Sequence, residues 1–322
     1  MTQGLQPVID YLQTTATDPF PRYILKNEIL RESITDSDIT AIHSSKWYKQ
    51  LAYEQWEDGS WGRFHTQDTK SPIKQKFVVT KIALRRAHEL GLTKDDTMIA
   101  RCIKIMERYI SGEETWTDNI EKHHDNGKSH MRSRLFLTAA NINLFDHDNP
   151  VIKPLREIVI NTLKVAFASG NFDQEAWARE DLSYRGPCIR EFTAYPFMLL
   201  RNSDCLDDEL QSLYLSYIWN KEDGIYYVSN LPPAQIQYAE DKKFDMWIRT
   251  LELLSGFSLF PEFMRDEVLG HLLGEANRIM NGDVVLPSAH PIFGHYAESW
   301  RDKTARKNDM LLRILRVLVK AI

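Results

Sequence analysis

Cysteine is scarce in this chain. There are 3 among 322 residues, Cys102, Cys188 and Cys205, an odd number with no paired spacing. That excludes a disulfide framework and suits a reducing compartment, with all three expected to be small buried thiols. No apolar run approaches membrane-spanning length, and the opening MTQGLQPVIDYLQ has neither the basic start nor the apolar stretch of a secretory leader. The expectation is a cytoplasmic protein with no transmembrane segment. A dominant charge sign is missing too. The 40 Lys and Arg oppose 45 Asp and Glu, for a net charge of −5, and no basic block is long enough to track a phosphate backbone. Nucleic acid is therefore not an expected partner.

What is present is a period. Gly59, Gly112, Gly170, Gly224 and Gly282 recur at steps of 53, 58, 54 and 58 residues, each closing a helical stretch and opening a polar, aromatic-rich loop. Near-equal steps mean one supersecondary unit copied along the chain. Between glycines the pattern is an apolar helix, a short polar turn and a second amphipathic helix. The expected pairs are 73–90 with a helix ending near 110, 131–145 with 150–169, 189–201 with 206–220, and 244–260 with 262–281. An upstream pair covers 22–33 and 36–55. In the first full copy Gly91 ends one helix, Thr93 is expected to cap the next, and Asp96 favours its positive end. The terminal helices, 5–14 and 307–322, pair with each other, and the last carries Arg313, Arg316 and Lys320 in an amphipathic stripe. Six pairs describe an all-α protein, an α/α toroid forming a single domain over 1–322. Thr80, Thr138, Thr193 and Thr250 keep the same register, each expected near the start of its helix.

Turns within a pair are short, whereas the connections 57–72, 111–130, 170–188, 221–243 and 282–306 are long. In an alternating helix order all five emerge at one end, where repeat folds collect their binding residues. These loops hold His65, His124, His290, His295, Trp61, Trp116, Trp177 and Tyr184, aromatic groups that either pack on helix ends or line a concavity. Basic residues gather where each inner helix begins, among them Arg134, Arg190, Arg249 and Arg306. Helix N-termini already attract anions, so this rim points to a ligand with an anionic head, unless the bases simply pair with loop carboxylates such as Asp58 and Asp173.

The strongest local pattern is Leu51-x3-Gln55-x3-Gly59-x-Trp61, and a weaker copy, Asn220-x3-Gly224-x-Tyr226, follows three repeat lengths later. It resembles the QW repeat of the squalene and hopene cyclases, and more widely the terpenoid cyclase and protein prenyltransferase superfamily. The unit has a physical sense: glutamine can hydrogen-bond backbone groups left free at a neighbouring helix end, while tryptophan clamps the loop. The resemblance implies a toroid and an isoprenoid substrate. The chain departs from it in lacking the Asp-x-Asp-Asp acid motif, the Asp-Asp-x-x-Asp diphosphate motif and the Asp-x-Cys zinc spacing. No metal site is expected, and neither a cofactor nor the oligomeric state is legible.

Candidate chemistry rests on few groups. His124, in EKHHDNGKSH, is a candidate general acid or base, with Asp125 able to orient or charge it. Glu191 and Asp245 begin inner helices near Arg190 and Arg249, and Trp247 offers an apolar or cation-stabilising wall. Three readings stay open: an enzyme acting on an isoprenoid or other apolar small molecule with an anionic head, a carbohydrate-active α/α-barrel hydrolase or lyase, and a non-catalytic ligand-binding or scaffold protein.

Overall fold

In a computed structural model of the chain, residues 4–64, 75–114, 128–183, 192–288 and 294–322 are described. All regular structure among them is helical, apart from isolated bridge residues such as Ile225 paired with Ser229. The order is α1 (Gln6–Thr15), α2 (Pro19–Ile24) continuing into a π-helical turn (Leu25–Ile29), α3 (Asp36–Ser44), α4 (Lys46–Glu54), α5 (Thr80–Glu89), α6 (Thr97–Ser111) and α7 (Lys128–Asn143). Then come a 3₁₀ turn (Pro150–Ile152), α8 (Lys153–Ala166), α9 (Gln174–Ser183), α10 (Ala194–Leu200), α11 (Asp208–Trp219), α12 (Lys243–Leu254), α13 (Phe260–Asn281) and α14 (Lys303–Ala321). Two compact units divide the chain, Gln50–Tyr217 and the pair of segments Met1–Lys49 with Ile218–Ile322.

The expected period is visible in the backbone. All five recurring glycines take positive φ, and Gly112 and Gly282 are left-handed caps that end α6 and α13 where the sequence places those ends. Within Gln50–Tyr217, Gln55 Nε2 donates to Gly59 O (2.8 Å) and to Met98 O (2.7 Å) in the first turn of α6. Its amide thus ties the loop to a neighbouring helix. Trp61 is fully buried, its indole N–H donating to Leu51 O (2.9 Å). Thr80 Oγ1 accepts from Trp61 N (3.0 Å) and donates to Gly62 O (3.1 Å), which fixes the loop on the start of α5. Gly59 has φ +93°, and a Cβ there would lie 2.8 Å from Arg101 O. Only glycine serves both the turn and the close approach of α6.

Further along this unit α7 packs on α10. Asn143 Nδ2 donates to Met198 O (2.7 Å) and Arg201 O (3.0 Å), and the buried Arg156 donates to Leu199 O (3.1 Å), Asn143 Oδ1 and His147 O. Side-chain donors therefore satisfy carbonyls left open where α7 and α10 end.

In the other unit α14 packs against α13, α12 and α1, so the first and last helices do meet. Nearly every residue from Asn308 to Leu318 is buried. Arg313 and Arg316, read from the sequence as part of an amphipathic stripe, are both ion-paired within this packing. Arg313 is 1% exposed and binds Asp245 Oδ1 with Nη1 and Glu252 with Nε and Nη2 (2.9 and 2.8 Å). Arg316 pairs with Glu28 on the π-helical turn and donates to the Tyr296 hydroxyl (2.7 Å). Burial works against the charge of Arg313, yet Glu252 and Asp245 outweigh it and hold its pKa above the ordinary arginine value. Asp309, fully buried, accepts from Tyr296 N, Ala297 N and Trp300 Nε1.

Other expectations need correction. The connection 170–188 is not a plain loop, because it contains α9. The helix after Gly91 starts later than expected, with Asp96 at its N-cap, while Thr93 Oγ1 accepts from Asp95 N inside the preceding turn. Thr80 and Thr193 do begin their helices, but Thr138 and Thr250 lie well inside theirs; all four are buried. Cys102 is buried and Cys205 is half-buried, whereas Cys188 lies outside the described residues.

Two substitutions test these anchors by chemical denaturation. Gly59→Ala should cost about 2–4 kcal/mol from strain plus clash, against about 1 kcal/mol for Gly112→Ala, which shares the positive φ but has open space around it. Equal losses would remove the close-approach argument. Arg313→Met should cost about 3–5 kcal/mol by stranding a buried carboxylate, and adding Asp245→Asn should restore part of that. A loss under about 1 kcal/mol would mean the network contributes little.

Candidate functional site

The richest grouping of chemistry-bearing side chains lies within Gln50–Tyr217, where six rings from five parts of the chain converge. Phe167 ends α8, Phe172 follows in the turn, Trp177 lies on α9, Phe192 precedes α10, and Tyr214 with Tyr217 come from α11. Phe172 and Tyr217 each stand 4.8 Å from Phe192 between ring centroids, and 4.8 Å from each other. Trp177 lies 6.1 Å from Phe172 and stacks at 6.4 Å on Phe192. Tyr214 adds contacts to Phe167 and Phe192 and stacks on Phe197 at 4.6 Å.

Accessibility is graded through the cluster. Tyr217 is 36% exposed and Phe172 half-buried, whereas Trp177 is 2% exposed and Tyr214 fully buried. Burial alone raises the Tyr214 phenol pKa well above its usual value, which marks the inner end as a low-dielectric environment. The Trp177 indole N–H, buried against these rings, meets no acceptor among the described residues. A buried indole normally finds a partner, so this donor stands out as open among the described residues. The electron-rich ring faces can also hold a cation or an unsaturated hydrocarbon.

Local sequence explains the assembly. Asp173 Oδ1 accepts from Ala176 N (2.9 Å) and so opens α9, which carries Trp177 inward. Asp58 is likewise occupied, accepting from Ser60 N (2.8 Å). Asp58 and Asp173, expected as partners of the basic rim, thus each serve their own turn.

The sequence-derived candidates scatter over both units. Trp61, Arg134 and Trp177 belong to Gln50–Tyr217, and of these only Trp177 enters the ring cluster. Trp61 serves the Gln55 turn, and Arg134 is 6% exposed on α7. In the other unit, Asp245, Trp247 and Arg249 share α12. Trp247 is fully buried, packs on Phe244 and His271, and donates to Pro233 O (2.9 Å). Arg249 is half-buried. Asp245 gives Oδ1 to Arg313, and its buried Oδ2 meets no donor among the described residues. His295 sits half-buried between the Trp47 and Trp300 rings, with Nδ1 3.1 Å from Ala297 O. Glu191, His124, Asp125, His65, Trp116, Tyr184, Arg190 and His290 lie outside the described residues.

Among the described residues no group of histidine, cysteine and carboxylate side chains is arranged to hold a metal ion, and no helix is long and apolar enough to cross a membrane. Reasoning from loops missed Phe167, Phe192, Tyr214 and Tyr217. The last two were accessible as an i,i+3 aromatic pair on one helix face. In comparisons with known proteins, no family model, curated protein or solved structure matches the chain.

The unpaired indole gives a direct check. Trp61→Phe deletes a hydrogen bond and Trp177→Phe deletes none, so Trp61→Phe should be the more destabilising by about 1–2 kcal/mol in denaturant titrations. Matching losses would indicate that Trp177 has an acceptor after all.

Proposed function

We propose that the protein is an α/α toroid of the terpenoid-cyclase and prenyltransferase type that takes an isoprenoid or other apolar molecule with an anionic head into the ring cluster around Trp177. The observation that carries this reading is the buried indole N–H of Trp177, left without an acceptor among the described residues in a cluster with five other aromatic rings. A hydrocarbon chain gains dispersion and burial against such rings, while an oxygen of the head group would complete the open hydrogen bond. Graded exposure from Tyr217 inward gives the ligand an approach. The contact of α1 with α14 and the recurring left-handed glycines support the ring-like repeat frame.

One observation favours a second reading, binding without catalysis. Asp245, the only carboxylate among the proposed catalytic residues that is described, is held by Arg313, which leaves a single oxygen for chemistry. On that reading the protein retains a ligand and returns it unchanged.

Thermal unfolding with farnesyl diphosphate and with maltohexaose separates the possibilities. Farnesyl diphosphate at a hundredfold excess over its Kd should stabilise the native state by about 2.7 kcal/mol, and maltohexaose should do nothing. Trp177→Phe should weaken the diphosphate response about tenfold, the size of one charge-assisted hydrogen bond. Stabilisation by the oligosaccharide, or by neither compound, would contradict the proposal. Diphosphate release then distinguishes catalysis from retention.

A further inference from the structure

The ring cluster around Trp177 has two ends, and their separation limits how much hydrocarbon the rings can cover. Trp177, 2% exposed, marks the inner end with an indole N–H that is open among the described residues. Tyr217, 36% exposed, marks the outer end. Residues 168–171, which join Phe167 to Phe172 beside it, are all exposed, so apolar cover stops there. We infer, resting on the function proposed above, that the cluster covers two isoprene units and no more, so that its substrate class is a ten-carbon prenyl compound.

Ring centroids set the length. Tyr217 stands 4.8 Å from Phe172, and Phe172 stands 6.1 Å from Trp177, so the outer and inner ends are separated by no more than about 11 Å. The route through Phe192, with steps of 4.8 and 6.4 Å, gives nearly the same bound. An extended isoprene unit advances along four carbon–carbon bonds of about 1.5 Å each, which in a zigzag comes to about 5 Å. Two units fill the span. With the head group at the Trp177 N–H, a third unit lies beyond Tyr217.

Affinity along such a path follows burial, because the hydrophobic effect rewards only the carbon that leaves water. The unit next to the head passes Phe172 and Phe192, the two rings that contact Trp177. The second unit reaches Tyr217, which lies 4.8 Å from each of them. Past Tyr217 a chain meets the exposed residues 168–171 and solvent, where little of its surface is removed from water. A longer chain is still held, by its first ten carbons.

Isothermal titration calorimetry with dimethylallyl, geranyl and farnesyl diphosphate tests this, since the series keeps one head group and adds five carbons at each step. Geranyl diphosphate should bind about a hundredfold more tightly than dimethylallyl diphosphate, and farnesyl diphosphate should match geranyl within about threefold. Tyr217→Ala, shown folded by circular dichroism, should weaken geranyl diphosphate about tenfold and dimethylallyl diphosphate by less than about threefold, because only the longer chain reaches that ring. A gain of more than about threefold from geranyl to farnesyl, no gain from dimethylallyl to geranyl, or equal losses in the variant would each overturn the inference and leave the proposed function standing. Binding by none of the three would overturn both. Should the variant fail to fold, the series with the unaltered protein still decides.

Discussion

A charge taken out of water must be matched inside the protein, and α14 obeys that constraint along its length. Arg313 stands among apolar side chains only because Asp245 and Glu252 come to it from α12, and Arg316 finds Glu28 on the π-helical turn. Asp309 is served by two backbone N–H groups and the Trp300 indole. Breaking one member strands the others, so the elements around α14 are specified together. The same rule operates in Gln50–Tyr217, where Asn143 and Arg156 spend their donors on the carbonyls at the ends of α7 and α10.

Against this background of matched groups, the exceptions carry meaning. Trp177 Nε1 and Asp245 Oδ2 are two of the buried side-chain atoms left unmatched among the described residues. They differ in setting. Asp245 already has a counterion, and a single bound water would complete it. Trp177 is surrounded by rings, where a water would have few polar partners, and a ligand that is mostly hydrocarbon suits the environment better.

Much of the helical frame was legible in the sequence because its punctuation is local. Gly112 and Gly282 end their helices through backbone conformation alone, and Gln55 acts on groups only four residues away and at the start of α6. What escaped depends on distant partners or on weak patterns. Arg313 interrupts an apolar run without revealing its partners, since Asp245 and Glu252 lie 68 and 61 residues away. The segment QEAWAREDLS has too few apolar positions to announce α9, yet that helix delivers Trp177. Phe192 and Tyr214 sit in stretches that read as ordinary core. The candidate site was therefore foreseen in one residue, Trp177, and assembled by tertiary packing from the rest.

The most direct measurement is a crystal structure of the protein with the small molecules that co-purify with it. The account predicts elongated density along Phe172, Phe192 and Tyr217 that ends in an acceptor atom about 3 Å from Trp177 Nε1. An indole bonded to a protein carbonyl, with the rings closed over it and no guest, would contradict the account.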